Sequence, residues 1–272
     1  MNLLKSKSLY AALVAVFVVT GCSAPGPTTP GSSSSPTSSS SPTSGTTTTP
    51  AVTTEKASIT GTVTKDGTIP GKNASVVLIL KTAGVDSDAK VSRTNQENGS
   101  FNFAGVSKGN YRVAFTLATE QERKDKARIF YEPKDGYTSD YYSFVTTRSF
   151  EYDGDQTKTY QVPTYNVGWK SNLAPYNEAF NVNDDIKFSW SAAQGAKSYN
   201  VLIQDDNFNQ VYKSSETTDT MWSWKASERK EGLKAGKTYY FLVNVTFDTS
   251  GAPENSPILT YGGSALSKFT TK

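Results

Sequence analysis

The stretch Ser58-Ile59-Thr60-Gly61-Thr62-Val63-Thr64 decides the fold class of this chain. Ile59 and Val63 fall on one face of an extended segment and the threonines fall on the other, which is the two-residue period of a half-buried β-strand. Residues 74–80 form a nearly continuous apolar run, as a central strand covered on both faces would. Because no helix-period segment of comparable strength occurs in the sequence, we predict an all-β protein.

Turn signals separate the predicted strands. Asn98-Gly99 indicates a β-hairpin, because both residues tolerate positive φ, and it leads into Phe101 and Phe103, which alternate toward the core. From Glu55 to Lys272 the chain is long enough for two ordinary domains, each with a core of its own. We therefore expect two tandem all-β domains, and the family resemblances given below imply that each is an antiparallel β-sandwich.

The N-terminus carries an export signal. Lys5 and Lys7 precede an uncharged run from Leu9 to Thr20, which has the order of a secretory signal and is short for a membrane span. Val19-Thr20-Gly21-Cys22 at its end resembles a bacterial lipobox. The resemblance implies that residues 1–21 are a signal peptide and that Cys22 is lipidated. A transmembrane helix or an ordinary cleaved signal is the alternative.

The single cysteine fits this interpretation. Cys22 is the only cysteine, which an acyl anchor explains better than a disulfide or a metal site does. Residues 23–54 are nearly all Ser, Thr, Pro and Gly without charge, so we predict that 22–54 is a lipidated and disordered linker. Ser23 stands where Asp would favour the inner membrane. We expect a membrane-anchored protein of the cell envelope, facing outside the cytoplasm, in the outer membrane if the organism has one.

Composition excludes several functions. The chain has 28 Lys and Arg against 25 Asp and Glu, a formal net charge of +3, which gives no support to nucleic-acid binding through phosphate neutralisation. It contains no histidine, which excludes histidine metal sites and Ser-His-Asp or Cys-His catalysis. Together with the resemblances to non-catalytic families given below, these exclusions lead us to expect no enzymatic activity, no cofactor and no bound metal.

Paired acidic residues are the remaining candidates for chemistry. Carboxylate oxygens coordinate calcium, and two carboxylates are enough for a glycosidase. None of the pairs has the spacing of an EF-hand, and carboxylates in loops are usually just solvated, so we interpret them as surface residues. The pairs are Asp86/Asp88, Asp153/Asp155, Asp184-Asp185 and Asp205-Asp206.

A set of motifs in the first half resembles one known family. The motifs are Gly61-Thr62-Val63, Ile69-Pro70-Gly71, Ala74-Ser75-Val76-Val77-Leu78, Asn98-Gly99-Ser100-Phe101-Asn102-Phe103, Val106 and Gly109-Asn110-Tyr111-Arg112-Val113. Together they resemble a carboxypeptidase regulatory-like domain, a small transthyretin-like β-sandwich, which we place at residues 55–168. The resemblance implies a structural or adhesive role, and it implies no peptidase activity, because no catalytic domain accompanies it.

Motifs in the second half are similar to fibronectin type III. They are Pro175, Ile186-Lys187-Phe188-Ser189-Trp190, Ala196-Lys197-Ser198-Tyr199-Asn200-Val201, Leu233-Lys234-Ala235-Gly236-Lys237-Thr238-Tyr239 and Phe241-Leu242-Val243-Asn244-Val245. The resemblance spans residues 169–272. It implies that Trp190, Tyr199 and Val201 fill the core. It also implies a tyrosine corner, in which the hydroxyl of Tyr239 bonds back onto the preceding turn.

Two groups of aromatic residues are candidates for ligand binding. Tyr141 and Tyr142 are adjacent on a predicted strand, so we expect one of them outside the core. Trp222 and Trp224 share one strand face. Exposed aromatic rings stack on sugars, and our hypothesis is that one group binds polysaccharide; the alternative is that both groups simply pack. The groups are Tyr131, Tyr137, Tyr141, Tyr142 and Phe144, and Met221-Trp222-Ser223-Trp224; the candidate ligand-binding residues are Trp222, Trp224, Tyr137, Tyr141 and Tyr142.

The sequence thus predicts a surface-displayed, non-catalytic lipoprotein. Two β-sandwich modules would serve binding or assembly at the cell envelope. The partners expected are the membrane, through the Cys22 anchor, and an envelope polysaccharide or protein. The alternatives are a glycan- or nutrient-capturing lipoprotein that works with a transporter or hydrolase, and a passive structural spacer.

Overall fold

The computed structural model of the chain describes residues 57–70, 75–82, 85–93, 98–117, 128–129, 140–229 and 233–272. The predicted signal peptide, Cys22 and the predicted linker lie outside the described residues, and so do Tyr131 and Tyr137. Lys56–Lys272 forms one compact unit. Within the part of the chain that is described, no helix is long and apolar enough to cross a membrane.

The prediction of an all-β protein is confirmed. The described residues form seventeen β-strands and a single turn of 3₁₀ helix at Ala226–Glu228. The strands are β1 (Ala57–Thr64), β2 (Ser75–Thr82), β3 (Val85–Arg93), β4 (Ser100–Ala104), β5 (Gly109–Thr116), β6 (Phe144–Thr147), β7 (Phe150–Tyr152), β8 (Tyr160–Gln161), β9 (Tyr165–Asn166), β10 (Glu178–Phe180), β11 (Ile186–Ser189), β12 (Ala196–Gln204), β13 (Gln210–Lys213), β14 (Met221–Trp224), β15 (Thr238–Phe247), β16 (Leu259–Gly263) and β17 (Ser267–Thr271).

The strands form one large sheet and two small ones. The large sheet has the order β10-β17-β15-β16-β6-β5-β2-β3, with β12 also paired to β15, β13 to β12, and β7 to β5. One small sheet has the order β4-β1-β8 with β9 also on β1, and the other is the pair β11-β14. Most pairs are antiparallel, but β8 and β9 lie parallel to β1, and β10 lies parallel to β17. The sheets are therefore mixed at their edges.

The alternation in β1 follows the pattern that the sequence predicts. Ile59 and Val63 are completely buried, whereas Thr60, Thr62 and Thr64 are half-buried. Ile59 and Val63 belong to a hydrophobic cluster that continues through β4, β2 and β5 and on into the strands of the second half. One connected cluster of buried side chains thus runs along the whole unit.

The hairpin predicted at Asn98-Gly99 is wrong, although the turn itself is present. β3 pairs with β2 and β4 pairs with β1, so the turn carries the chain from one sheet to the other. Gly99 has φ +68°, and a Cβ there would lie 2.2 Å from the carbonyl oxygen of Val63. The glycine is needed because the turn passes directly over β1, where Val63 donates its N–H to the Gly99 oxygen at 2.9 Å.

The second half contains the expected tyrosine corner. The backbone N–H of Lys234 donates to the hydroxyl oxygen of Tyr239 at 3.0 Å, which ties the turn to the start of β15. Trp190, Tyr199 and Val201 are buried, as the resemblance implies. β11 and β14 form a separate two-stranded sheet that packs on the large sheet, with Phe188 of β11 against Phe241 of β15 at a centroid distance of 4.8 Å.

Backbone hydrogen bonds between β6 and β16 join the first half of the unit, up to residue 168, to the second half. β6 pairs with β5 along one side and with β16 along the other, and β16 continues to β15. Ser143 donates its N–H to the Gly263 oxygen at 2.9 Å, and Arg148 donates to the Ile258 oxygen at 2.8 Å. The division of the chain into domains at residue 168 stays a prediction, and the hydrogen bonds of one sheet cross it.

Two glycines in β16 allow β6 and β16 to lie close together. A Cβ on Gly263 would lie 2.5 Å from the ring of Phe144, and a Cβ on Gly262 would lie 3.1 Å from the backbone oxygen of Phe144. The paired glycines of β16 therefore let β6 approach with the ring of Phe144 lying over the strand.

Because the core and the sheet are continuous, we predict that both halves unfold in one transition. Phe103→Ala in β4 and Phe241→Ala in β15 each remove a buried ring, which costs about 3–5 kcal/mol. Each variant should lower the midpoint of the same calorimetric transition by on the order of 10 °C. Two separate transitions, each sensitive to only one of the substitutions, would contradict a single unit.

Candidate functional site

Tyr141 and Tyr142 are both buried, which corrects the expectation that one of them lies outside the core. Their exposed fractions are 5% and 2%. The two residues do not lie on a regular strand: Tyr141 forms an isolated bridge with Gly168, and the N–H of Tyr142 donates to the Val167 oxygen at 3.1 Å. The segment is covered from both sides, so the alternation rule for a strand does not apply to it.

The surroundings of this tyrosine pair are structural. The ring of Tyr142 packs against Trp169 and Phe247, with centroids 5.0 and 5.6 Å away, and burial raises the pKa of its hydroxyl. The ammonium of Lys65 lies 4.9 Å from the ring centroid of Tyr141. Neither ring presents a face on which a sugar could stack from solvent. Tyr137, the third candidate of this group, lies outside the described residues.

Trp222 and Trp224 lie on β14, whose partner is β11. Trp222 stands opposite Phe188 and Trp224 opposite Ile186. The two indoles lie on one face, with ring centroids 6.3 Å apart and planes 26° apart. Trp224 is only 2% exposed, whereas Trp222 is half-buried. Of the four candidate aromatic residues that the structure describes, Trp222 is the one that reaches the surface.

Tyr212 completes the cluster, and the sequence analysis missed it. Its ring lies nearly parallel to both indoles, with its centroid 5.6 Å from that of Trp222 and 5.0 Å from that of Trp224. Tyr212 comes from β13, which belongs to the large sheet, and the tryptophans come from the small sheet β11-β14. No local pattern links these residues, because the contact forms only when the two layers pack. We call Tyr212, Trp222 and Trp224 the aromatic stack.

Arg229 closes one end of the aromatic stack. Its guanidinium carbon lies 4.9 Å from the ring centroid of Trp224. It donates to the backbone oxygens of Val182 at 2.8 Å and Trp224 at 2.9 Å, and also to that of Asp184. Burial lowers the pKa of Arg229, against the opposing influence of Asp185 and Asp184. The side chain thus fastens the loop before β11 to the end of β14.

In two of the acidic pairs, the carboxylates accept hydrogen bonds from neighbouring turns of the chain. Asp184 accepts from the backbone and side-chain amides of Asn181 at 3.0 and 2.9 Å. Asp185 accepts from the N–H of Ala226 at 2.8 Å, at the start of the 3₁₀ turn. Asp205 accepts from the N–H groups of Asn207 and Asn209 at 2.9 and 2.8 Å, at the tip of the β12–β13 connection.

In the pair Asp153/Asp155, the carboxylate of Asp155 also accepts hydrogen bonds from its own turn. Asp155 accepts from the N–H and the hydroxyl of Thr157 at 2.9 and 2.6 Å. Hydrogen bonds from Thr157 and Lys158 lower the pKa of this carboxyl. The side chains of Asp86 and Asp88 lie outside the described residues. No group of three or more acidic, histidine or cysteine side chains that could hold a metal occurs among the described residues.

Comparison with known proteins adds little to this geometry. No protein-family model matches the chain, and no curated protein matches it. A DUF3823 family protein from Bacteroides uniformis is 11% identical, with 80% of this chain and 100% of that chain covered and a TM-score of 0.29. The FN1–FN3 domains of chicken CNTN1 are 12% identical, with 79% and 63% covered and a TM-score of 0.24.

Fibronectin(III)-like modules of CbhA from Clostridium thermocellum are 10% identical, with 79% of this chain and 89% of that chain covered and a TM-score of 0.23. Similarities at this level carry no argument about function. The chain's own strand pairing and burial define it as an all-β sandwich protein. The similarity of residues 55–168 to a carboxypeptidase regulatory-like domain stays a prediction.

The contacts of Arg229 generate a prediction about stability. Arg229→Ala removes charge-assisted hydrogen bonds to three backbone oxygens and should lower the free energy of unfolding by about 1–3 kcal/mol. Arg229→Lys should recover little of this loss, because a single ammonium cannot reproduce the planar fork. Denaturant titration measures both values. Lys225→Ala, at an exposed neighbouring position, is the control, and an Arg229→Ala variant as stable as this control would contradict the assignment.

Proposed function

We propose that this chain is a surface-displayed lipoprotein that uses its β-sandwich unit for non-catalytic binding or assembly at the cell envelope. Three features of the sequence support the location: the signal-like N-terminus, the lipobox-like Val19-Thr20-Gly21-Cys22, and the Ser/Thr/Pro-rich linker. The linker would let the folded unit reach away from the membrane to which Cys22 attaches it.

The aromatic stack is the observation that carries the binding role. The ring planes of Trp222 and Tyr212 lie 12° apart, and both side chains are half-buried, so each keeps some surface in contact with solvent. The buried ring of Trp224 supports both of these rings, and Arg229 in turn lies against Trp224. The indoles of Trp222 and Trp224, which pairing of β14 with β11 holds in place, lose little conformational entropy when a ligand binds, which favours a binding surface over a flexible patch.

An envelope glycan is the class of ligand that the aromatic stack favours. Trp222 stacks on Phe188, with centroids 5.4 Å apart, and on Tyr212, but it remains half-buried. The part of its ring that stays in solvent offers an apolar surface to a sugar ring. The alternative of a passive spacer requires no ligand at all. Binding measurements distinguish the two.

The anchor is tested by labelling cells with an alkyne analogue of palmitate. The full chain should incorporate the label and sediment with the membrane fraction. Cys22→Ala removes the acylated thiol and should lose the label and release the protein, whereas Ser23→Ala keeps the thiol and should retain both. Absence of label from the wild-type chain, or label retained by Cys22→Ala, would contradict the lipoprotein assignment.

The binding role is tested by sedimentation with insoluble envelope polysaccharide. Trp222→Ala should weaken binding of the full chain by about tenfold or more, which is the loss typical of a central aromatic contact, while the unfolding midpoint stays close to that of the wild type. Tyr160→Ala is the control, since Tyr160 is also half-buried and stacks on Phe150 in the other half. If the wild-type chain binds no envelope polymer, glycan binding is wrong, and a protein partner or a passive spacer is the alternative.

A further inference from the structure

Two buried N–H groups beside the aromatic stack have no acceptor. These are the indole Nε1 of Trp224 and the Nε of Arg229, neither of which has a hydrogen-bond partner in the described part of the chain. They belong to side chains in direct contact, with the guanidinium 4.9 Å from the indole centroid. Buried donors are normally satisfied, so two contacting side chains that each keep an unpartnered N–H can both donate to an acceptor from outside the chain.

The guanidinium of Arg229 also has no carboxylate in contact with it among the described residues. Every hydrogen bond that Arg229 makes within the described residues goes to a neutral backbone oxygen. Asp185 and Asp184 favour the charged form of Arg229 without contacting it, and their carboxylates accept instead from the N–H of Ala226 and from Asn181. Among the described residues, Arg229 forms no ion pair. A partly buried guanidinium without a contacting carboxylate favours an anionic ligand group, and its planar fork suits a carboxylate.

The neighbouring rings define what carries the anionic group. Trp222 lies on the same face as Trp224, with the centroids 6.3 Å apart, and it is half in solvent. A ligand whose ring stacks on Trp222 therefore extends toward Trp224 and Arg229. The ring of Tyr212 lies against both indoles. Its strand β13 is only four residues long and, within the described residues, pairs with β12 alone. A short edge strand opens locally at low cost, which gives a route to the buried donors.

We propose that this site binds an acidic saccharide. The sugar ring stacks on Trp222, and its carboxylate accepts from the Nε1–H of Trp224 and the Nε–H of Arg229 as Tyr212 moves aside. The inference rests on the proposed binding function and names the ligand class of that function. It makes Trp224 and Arg229 the residues that select an acidic sugar over a neutral one.

The test is a titration of the ¹⁵N-labelled full chain with sodium glucuronate. Glucose is the neutral match, and N-acetylglutamate carries the carboxylate without a sugar ring. The indole N–H signal of Trp224 should move with glucuronate along a saturable curve, and affinity for the other two compounds should be at least tenfold weaker. The indole signal of Trp190, whose buried N–H also has no partner among the described residues, should stay in place. This measurement needs no variant and so does not depend on a substitution that fails to fold.

Variants then identify the donor. Trp224→Phe removes the orphan N–H and should weaken glucuronate binding at least tenfold. Trp190→Phe removes the same atoms from another buried tryptophan and should leave binding unchanged. The inference is overturned if glucuronate gives no saturable shift, if glucose binds equally well, or if Trp224→Phe binds like the wild type. A stronger response to N-acetylglutamate would also overturn it and would indicate an acidic peptide.

Failure of this inference is distinguishable from failure of the proposed function. If polysaccharide sedimentation depends on Trp222 while glucuronate produces no shift, the binding function stands and the acidic ligand class is wrong. If no envelope polymer binds and glucuronate is also without effect, both are wrong.

Discussion

The pairing of β6 with β16 is the interaction on which the rest of the structure depends. A four-residue strand of the first half fills the edge of the second half's sheet, and Ser143 and Arg148 donate across it. An unpaired edge of this kind would expose a row of backbone donors and acceptors, and here each half covers the other's edge. Two modules that sequence motifs place side by side are thereby joined through backbone hydrogen bonds, and their buried side chains form one cluster.

This joint also explains the division of roles along the chain. The tyrosines nearest the joint are buried, because the segment around Tyr141 and Tyr142 fills the space between the halves. The aromatic stack lies in the second half, where β13 and β14 face each other from different sheets. Within it Tyr212 packs on Trp224, and Arg229 lies against the ring of Trp224. The aromatic residues therefore differ in their surroundings: those at the joint are buried, whereas those of the stack pack β13 against β14 and leave Trp222 and Tyr212 only half-buried.

Local features of the fold follow from the sequence, and long-range features do not. The alternation around Ile59 and Val63 and the corner built on Tyr239 are written in consecutive residues, so both could be predicted. Pairing of β6 with β16 joins segments more than a hundred residues apart, and neither segment carries a signal for the other. The contact of Tyr212 with the tryptophans likewise depends on how two sheets pack. The shared strand face of Trp222 and Trp224 in the candidate site was therefore predictable. The contacts of Tyr212 and Arg229 with these tryptophans were not.

Amide hydrogen exchange at the joint tests the single-unit account most directly. The N–H groups of Ser143 and Arg148, which donate across the β6–β16 edge, should exchange only through global unfolding. Their protection should then equal that of core amides in both halves, such as Val63 in β1 and Val243 in β15. Exchange at these two amides that is orders of magnitude faster than in both cores would show that the halves separate readily, and would contradict the account.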